Sequence, residues 1–155
     1  MQPLNGDPFL YEIELNYMND GRGILTSRET YGPVYAAAAK EFGGQALQWT
    51  PEHLLVSALS TCYMTTLLLF VKKEKLELVD FECRATGAIK LKEGKYVFDR
   101  IDLFPKMKFG AQDKLETILA TVENARKYCI VSNSIKAPVF YHPDISTGKE
   151  GGPWA

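Results

Sequence analysis

A chain of 155 residues, 46% apolar and 12% aromatic, has material for one real core, and a formal net charge of −1 with interspersed signs offers no basic stripe for nucleic-acid phosphates. Three cysteines are too few for a structural disulfide framework, and no charged-then-apolar leader with a small-residue cleavage site opens the chain. The expected setting is therefore the reducing cytoplasm, where paired cysteines serve redox or metal chemistry.

One domain, 1–155, is expected, with loose tails at 1–9 and 146–155. Tyr11 to Tyr17 alternates apolar and polar residues and predicts a half-buried strand. Asn19-Asp20-Gly21 is a hairpin turn, because Asp-Gly tolerates positive φ, and a second strand follows from Arg22 to Thr30. After the turn at Tyr31-Gly32-Pro33, Val34 to Ala39 suits strand or helix; a strand completing a small sheet is preferred.

The loop Glu41 to Gln45 then leads to a long helix, Thr50 to Lys73. Thr50 suits the N-cap, Pro51 the first helical position, Glu52 the positive first turn, and Lys72 and Lys73 the negative end. From Leu54 to Val71 no residue is charged, long enough for a membrane span. The five hydroxyls of Ser57, Ser60, Thr61, Thr65 and Thr66, and the lack of a second apolar run, favour a buried central helix and no membrane. A helix apolar on every side must be enclosed on nearly every side, more than a chain this short can do alone. A partner subunit, hence a homodimer, is expected.

Beyond the helix, Leu78 to Lys90 reads as a strand with Phe81, Cys83 and Ala85 on one face, Glu93-Gly94-Lys95 as a turn, and Tyr96 to Met107 as a strand in which Pro105 marks a bulge or an edge. Asp113 to Tyr128 returns to helical periodicity, with Leu115, Ile118, Leu119, Val122, Ala125 and Cys129 on one stripe. Ile135 to His142 makes a last strand. The order of strands, long helix, strands, helix and strand is an α+β pattern.

Cys62 in the central helix and Cys129 at the end of the second each fall on a side that should be buried, so helix packing can bring the two sulfurs together as a redox dithiol. Cys83 reads as a small packing residue. His53, His142 and the cysteines lack the short ligand spacings of a metal site.

The segments Thr50 to Cys62 (Thr-Pro-Glu-His-Leu-Leu-Val-Ser-Ala-Leu-Ser-Thr-Cys) and Lys127 to Lys136 (Lys-Tyr-Cys-Ile-Val-Ser-Asn-Ser-Ile-Lys) strongly resemble the two signature segments of the OsmC/Ohr family, the osmotically inducible and organic hydroperoxide resistance proteins. Phe42-Gly43-Gly44 and the Asp20-Gly21-Arg22-Gly23 hairpin also look like that family, and the resemblance runs in matching order from Tyr11 to His142.

The resemblance implies antiparallel sheets wrapped around a long central helix, an intertwined homodimer, and a cysteine-based peroxidase at the subunit interface. It makes Cys62 the peroxidatic cysteine, Cys129 the resolving one, and Glu52 the glutamate that holds an arginine against the thiolate. No cofactor is implied beyond an external dithiol reductant. Glu52 and Cys62 are ten residues apart, about 15 Å along a helix and on different faces, so their meeting requires antiparallel central helices from two subunits.

The arginine departs from the family pattern. Where the peroxidases carry Gly-Gly-Arg-Asp-Gly-Arg in the hairpin, the first Arg position is Asn19 here, leaving Arg22 and Arg28 as candidates. Apolar Phe42, Leu55, Leu59 and Tyr63 suit bulky, lipid-like organic hydroperoxides. The alternative is a non-catalytic protein of the same fold that binds small apolar ligands or senses redox state.

Overall fold

The computed structural model describes residues 8–148. The single expected domain is built of two compact units, one ending at Leu54 and the other beginning at Leu55. The expected tails fall largely outside the described residues.

In the first unit, β1 (Glu14–Met18), β2 (Arg22–Thr26) and β3 (Val34–Ala37) form an antiparallel sheet in that order. Gly21, at φ 85°, supplies the left-handed residue of the hairpin between Met18 and Arg22, where any side chain would be strained. β2 stops earlier than expected because the Ser27 hydroxyl accepts the Glu29 N–H at 3.2 Å, which turns the chain. Val34 to Ala37 is a strand despite its alanines, since both of its neighbours in space offer backbone partners: β2 on one side and, through the Ala37 N–H to the Trp49 carbonyl at 2.8 Å, the approach to the central helix on the other. A 3₁₀ turn, Lys40–Phe42, intervenes. Gly44 follows it at a point where a Cβ would stand 1.7 Å from the Ala38 carbonyl oxygen.

The central helix, α1 (Pro51–Glu74), starts and stops where its end signals predict. By length and composition it could cross a membrane. In the second unit, however, Leu59, Tyr63, Leu67 and Val71 form a buried stripe packed into the core. Ala58, Thr61, Thr65, Leu68 and Leu69 remain exposed, so the chain's own elements cover one face of α1, not nearly every side. The exposed Thr65 hydroxyl is turned back along the helix, donating to the carbonyls of Thr61 and Cys62 at 3.1 Å.

The stripe packs with a sheet made of β4 (Leu78–Lys92), β5 (Lys95–Phe109), β6 (Val139–Tyr141) and β7 (Asp144–Thr147). β4 and β5 are a long antiparallel hairpin closed by Glu93 and Gly94, both at positive φ. β6 and β7 run parallel to β5 on its other side, so the sheet is mixed rather than wholly antiparallel. The cause is the helical crossover of α2 (Leu115–Lys127) and α3 (Ile130–Ser134), which returns the chain in the direction it left.

Pro105 sits inside β5 opposite Cys83, with no bulge there; the register shifts fall at Leu78/Asp80 and Ala88/Ile89. Pro105 is tolerated because the second ladder is interrupted beside it, passing from Leu103↔Tyr141 to Lys106↔Asp144. The expected last strand is shortened to β6, its start at 135–138 being irregular chain after α3 and its end broken at His142-Pro143 before β7 takes up Ser146 and Thr147. α2 begins later than predicted because the Asp113 carboxylate is spent on the Glu77 N–H at 2.9 Å. Its buried face is Ile118, Thr121, Val122 and Ala125, whereas Leu115 and Leu119 are exposed.

Candidate functional site

The two cysteines singled out by the sequence meet in the second unit. Cys62 projects from the middle of α1, one residue before the buried Tyr63, and is partly buried. Cys129 is fully buried at the N-cap of α3, in the short link after α2. Two ring contacts hold these elements in place: Phe70 of α1 on Tyr128 at 5.5 Å, beside Cys129, and Tyr63 on Tyr141 of β6 at 5.2 Å.

The Val131 N–H, in the first turn of α3, donates to Cys62 Sγ at 3.5 Å. Burial pushes the Cys129 thiol up from its ordinary range, opposed by the Ser132 N–H and reinforced by its hydrogen bond with the Cys62 sulfur. Cys129 is thereby held protonated. All three cysteines are free thiols. Cys83, half-buried on β4 with its thiol also pushed up by burial, packs against the core.

Sequence reasoning did not single out Val131, Ser132 or Tyr141. The Tyr141 hydroxyl is buried beside Ser132 and Cys129 and makes no well-formed hydrogen bond to either. Its strand is fixed from the other face of the sheet, where Asp102 accepts from Arg100 Nε at 2.6 Å and lies 2.8 Å from His142 Nε2. The Arg100 guanidinium first, then the His142 ring, hold the Asp102 carboxyl down to about 2. His142 also stacks on Phe104 at 4.8 Å.

The expected pocket residues are placed differently from one another. Leu59 and Tyr63 lie in the core stripe, and burial drives the Tyr63 phenol well above its usual range. Leu55 is partly buried. In the first unit, Phe42 is exposed at the end of the 3₁₀ turn.

Also in that unit, Glu52 has one carboxylate oxygen buried without a hydrogen-bond partner among the described residues. Arg22 is clamped by Asp20, Nε to Oδ2 at 2.8 Å and Nη2 to Oδ2 at 2.5 Å. The same arginine borders a hollow of about 490 Å³ with Leu15, Tyr17, Leu25, Pro51 and Leu54. Arg28 lies beyond the end of β2, not on it, exposed in the turn after Ser27 beside Glu12, Glu14 and Glu29.

His53 Nδ1 is 3.0 Å from the Thr50 hydroxyl. Among the described residues no cluster of three or more His, Cys, Asp or Glu side chains could hold a metal ion.

The OsmC-like protein family model matches residues 43–142. YmaD of Bacillus subtilis, an uncharacterized protein, is 25% identical over 116 residues, 73% of this chain and 77% of its own length. Among solved structures, an OsmC-like protein of unknown function from Vibrio cholerae superposes with a TM-score of 0.75 at 18% identity, over 86% of this chain and 99% of its own. An organic hydroperoxide resistance protein from Elizabethkingia anophelis gives 0.68 at 20% identity, over 90% and 99%. At such identities the structures speak for the fold alone, while the family match spans most of the chain and both cysteines. The chain belongs to the OsmC-like family.

Proposed function

We propose that the protein is a thiol-dependent peroxidase that reduces organic, lipid-like hydroperoxides to alcohols. The observation that carries this reading is the pairing of Cys62 with Cys129, one sulfur accepting a backbone N–H and the other keeping its proton. The Cys62 thiolate attacks the distal peroxide oxygen, releasing an alcohol and leaving a sulfenic acid. Cys129 then condenses with the sulfenic acid, expelling water and forming a disulfide that an external dithiol reduces. Three free thiols fit a reducing cytoplasm.

A homodimer is part of the proposal. The uncharged, exposed face of α1 and the apolar hollow of the first unit both call for cover, and the unpartnered oxygen of Glu52 is what an activating arginine would grip. The specific observation favouring a non-catalytic binder is the commitment of Arg22 to Asp20.

Titrating reduced protein with cumene hydroperoxide and mapping the product by mass spectrometry tests the reading: one equivalent should produce a Cys62–Cys129 disulfide, whereas persistent free thiols would favour the binder. For the cation, Arg22→Ala is expected to slow alkylation of Cys62 by iodoacetamide at pH 7 about tenfold, and Arg28→Ala less than about twofold. Equal rates in both variants and the parent protein would remove arginine from the mechanism.

A further inference from the structure

Resolution, the second half of the proposed cycle, needs something the two cysteines do not supply. Cys129 attacks only as a thiolate, yet burial and the Cys62 sulfur favour its protonated form against the opposing pull of Ser132. When it reacts, its S–H bond breaks, an S–S bond forms to Cys62, the S–O bond of the sulfenic acid breaks, and the departing hydroxide leaves as water after taking up the proton. The transient negative charge on Cys129 arises in a site with no water-exposed face, since its residue is fully buried. A donor aimed at that sulfur is therefore worth more there than in solvent.

A further donor is already in place. The Tyr141 hydroxyl is buried within reach of Cys129 and Ser132 but makes no well-formed hydrogen bond among the described residues, a state that costs free energy in the resting protein. Its position is not slack. The ring is packed on Tyr63 at 5.2 Å, the backbone is paired with Leu103, and the following residue, His142, is tied to Asp102 on the opposite face. The Ser132 N–H and hydroxyl already favour the Cys129 thiolate, but that hydroxyl is shared with the Cys129 carbonyl, 3.0 Å away.

We propose that Tyr141 is the hydrogen-bond donor to the Cys129 thiolate during resolution, its hydroxyl held near the sulfur without a well-formed hydrogen bond in the reduced protein and engaged fully when Cys129 ionises to attack the Cys62 sulfenic acid. The phenol keeps its own proton throughout. This inference rests on the peroxidase reading and adds to it the residue that sets the rate of disulfide closure.

The test compares the full-length protein with Tyr141→Phe, which keeps the ring on Tyr63 and removes only the hydroxyl. With one equivalent of cumene hydroperoxide, the sulfenic acid trapped at Cys62 by dimedone should form equally fast in both. Closure to the disulfide should be about tenfold slower in Tyr141→Phe and recover as the pH is raised, and sulfinic acid should accumulate at Cys62 under excess peroxide. Equal closure rates at every pH would overturn the role of Tyr141 while leaving the peroxidase intact. Absence of any sulfenic acid in the parent protein would overturn the peroxidase reading and this inference with it.

A second measurement needs no peroxide and no turnover. In a Cys62→Ser background, alkylation of Cys129 should require a higher pH with Phe at position 141 than with Tyr. An identical pH profile would count against the hydrogen bond directly.

Discussion

Cys62→Ser is expected to lower organic hydroperoxide consumption on the order of a thousandfold or more, to the uncatalysed background, while Cys129→Ser completes a first turnover and then fails. The difference follows from where the two residues stand. Cys62 is partly buried on α1 and accepts the Val131 N–H, so it is the sulfur that peroxide can reach and that a donor already faces. Serine there presents a hydroxyl far too weakly acidic to attack an O–O bond. Cys129 is fully buried behind it, with its thiol pushed up, and has nothing to attack until Cys62 is oxidised. Without Cys129, the Cys62 sulfenic acid has no neighbour to condense with and proceeds to sulfinic acid as peroxide is added. Mass spectrometry after each equivalent of cumene hydroperoxide reads both outcomes. Undiminished turnover in Cys62→Ser would rule out the thiol mechanism, whatever the fate of Cys129.

The sequence was most informative where several local signals agreed. α1 announces itself through a cap, an N1 proline, terminal charges and an uncharged middle, and it forms as read, from Pro51 to Glu74. The approach of Cys62 to Cys129 was legible from the helical periodicity that led to each, although Cys129 stands in the link just past α2 and not on its face. Less legible was anything decided by tertiary partners. Leu115 and Leu119 have the right spacing for the core stripe of α2, yet both are exposed, because a hydrophobic period tells which residues share a face and not what that face meets.

α3 is five residues of Ile, Val, Ser and Asn, too short for any period, and it forms where Cys129 and Ser132 turn the chain. Arg28 left the expected strand for a single side-chain hydrogen bond, Ser27 to Glu29. The Tyr141 hydroxyl could not have been found from spacing, since what marks it is a missing partner in a packed site.

The sharpest stability contrast lies along α1. Leu59→Ala is expected to destabilise the protein by about 3 kcal/mol, and Leu68→Ala to act through a second chain if it acts at all. Leu59 is 0% exposed within the core stripe, so truncation removes its burial and leaves a cavity that Ile101, Leu103 and their neighbours cannot fill by relaxation. For a chain of this size that loss corresponds to a fall in Tm of about 6–12 °C. A substrate-lining role for Leu59 would instead alter the preference between bulky and small peroxides with little change in Tm, so thermal unfolding and a two-substrate assay together decide between wall and core.

Leu68 and Leu69, at 44% and 46% exposed, carry the opposite logic. In a lone chain, Leu68→Ala would remove contacts mostly with water and change stability by less than about 1 kcal/mol. Where a partner's helix covers the face, it would cost more, and Tm would depend on concentration in parent and variant alike, because unfolding is then linked to dissociation. A concentration-independent Tm with a mild Leu68→Ala effect would leave α1 uncovered in solution and remove the twin-chain site from the proposal. A strong, concentration-dependent effect would mean that the uncharged face read in the sequence is buried after all, by the same sequence on another chain.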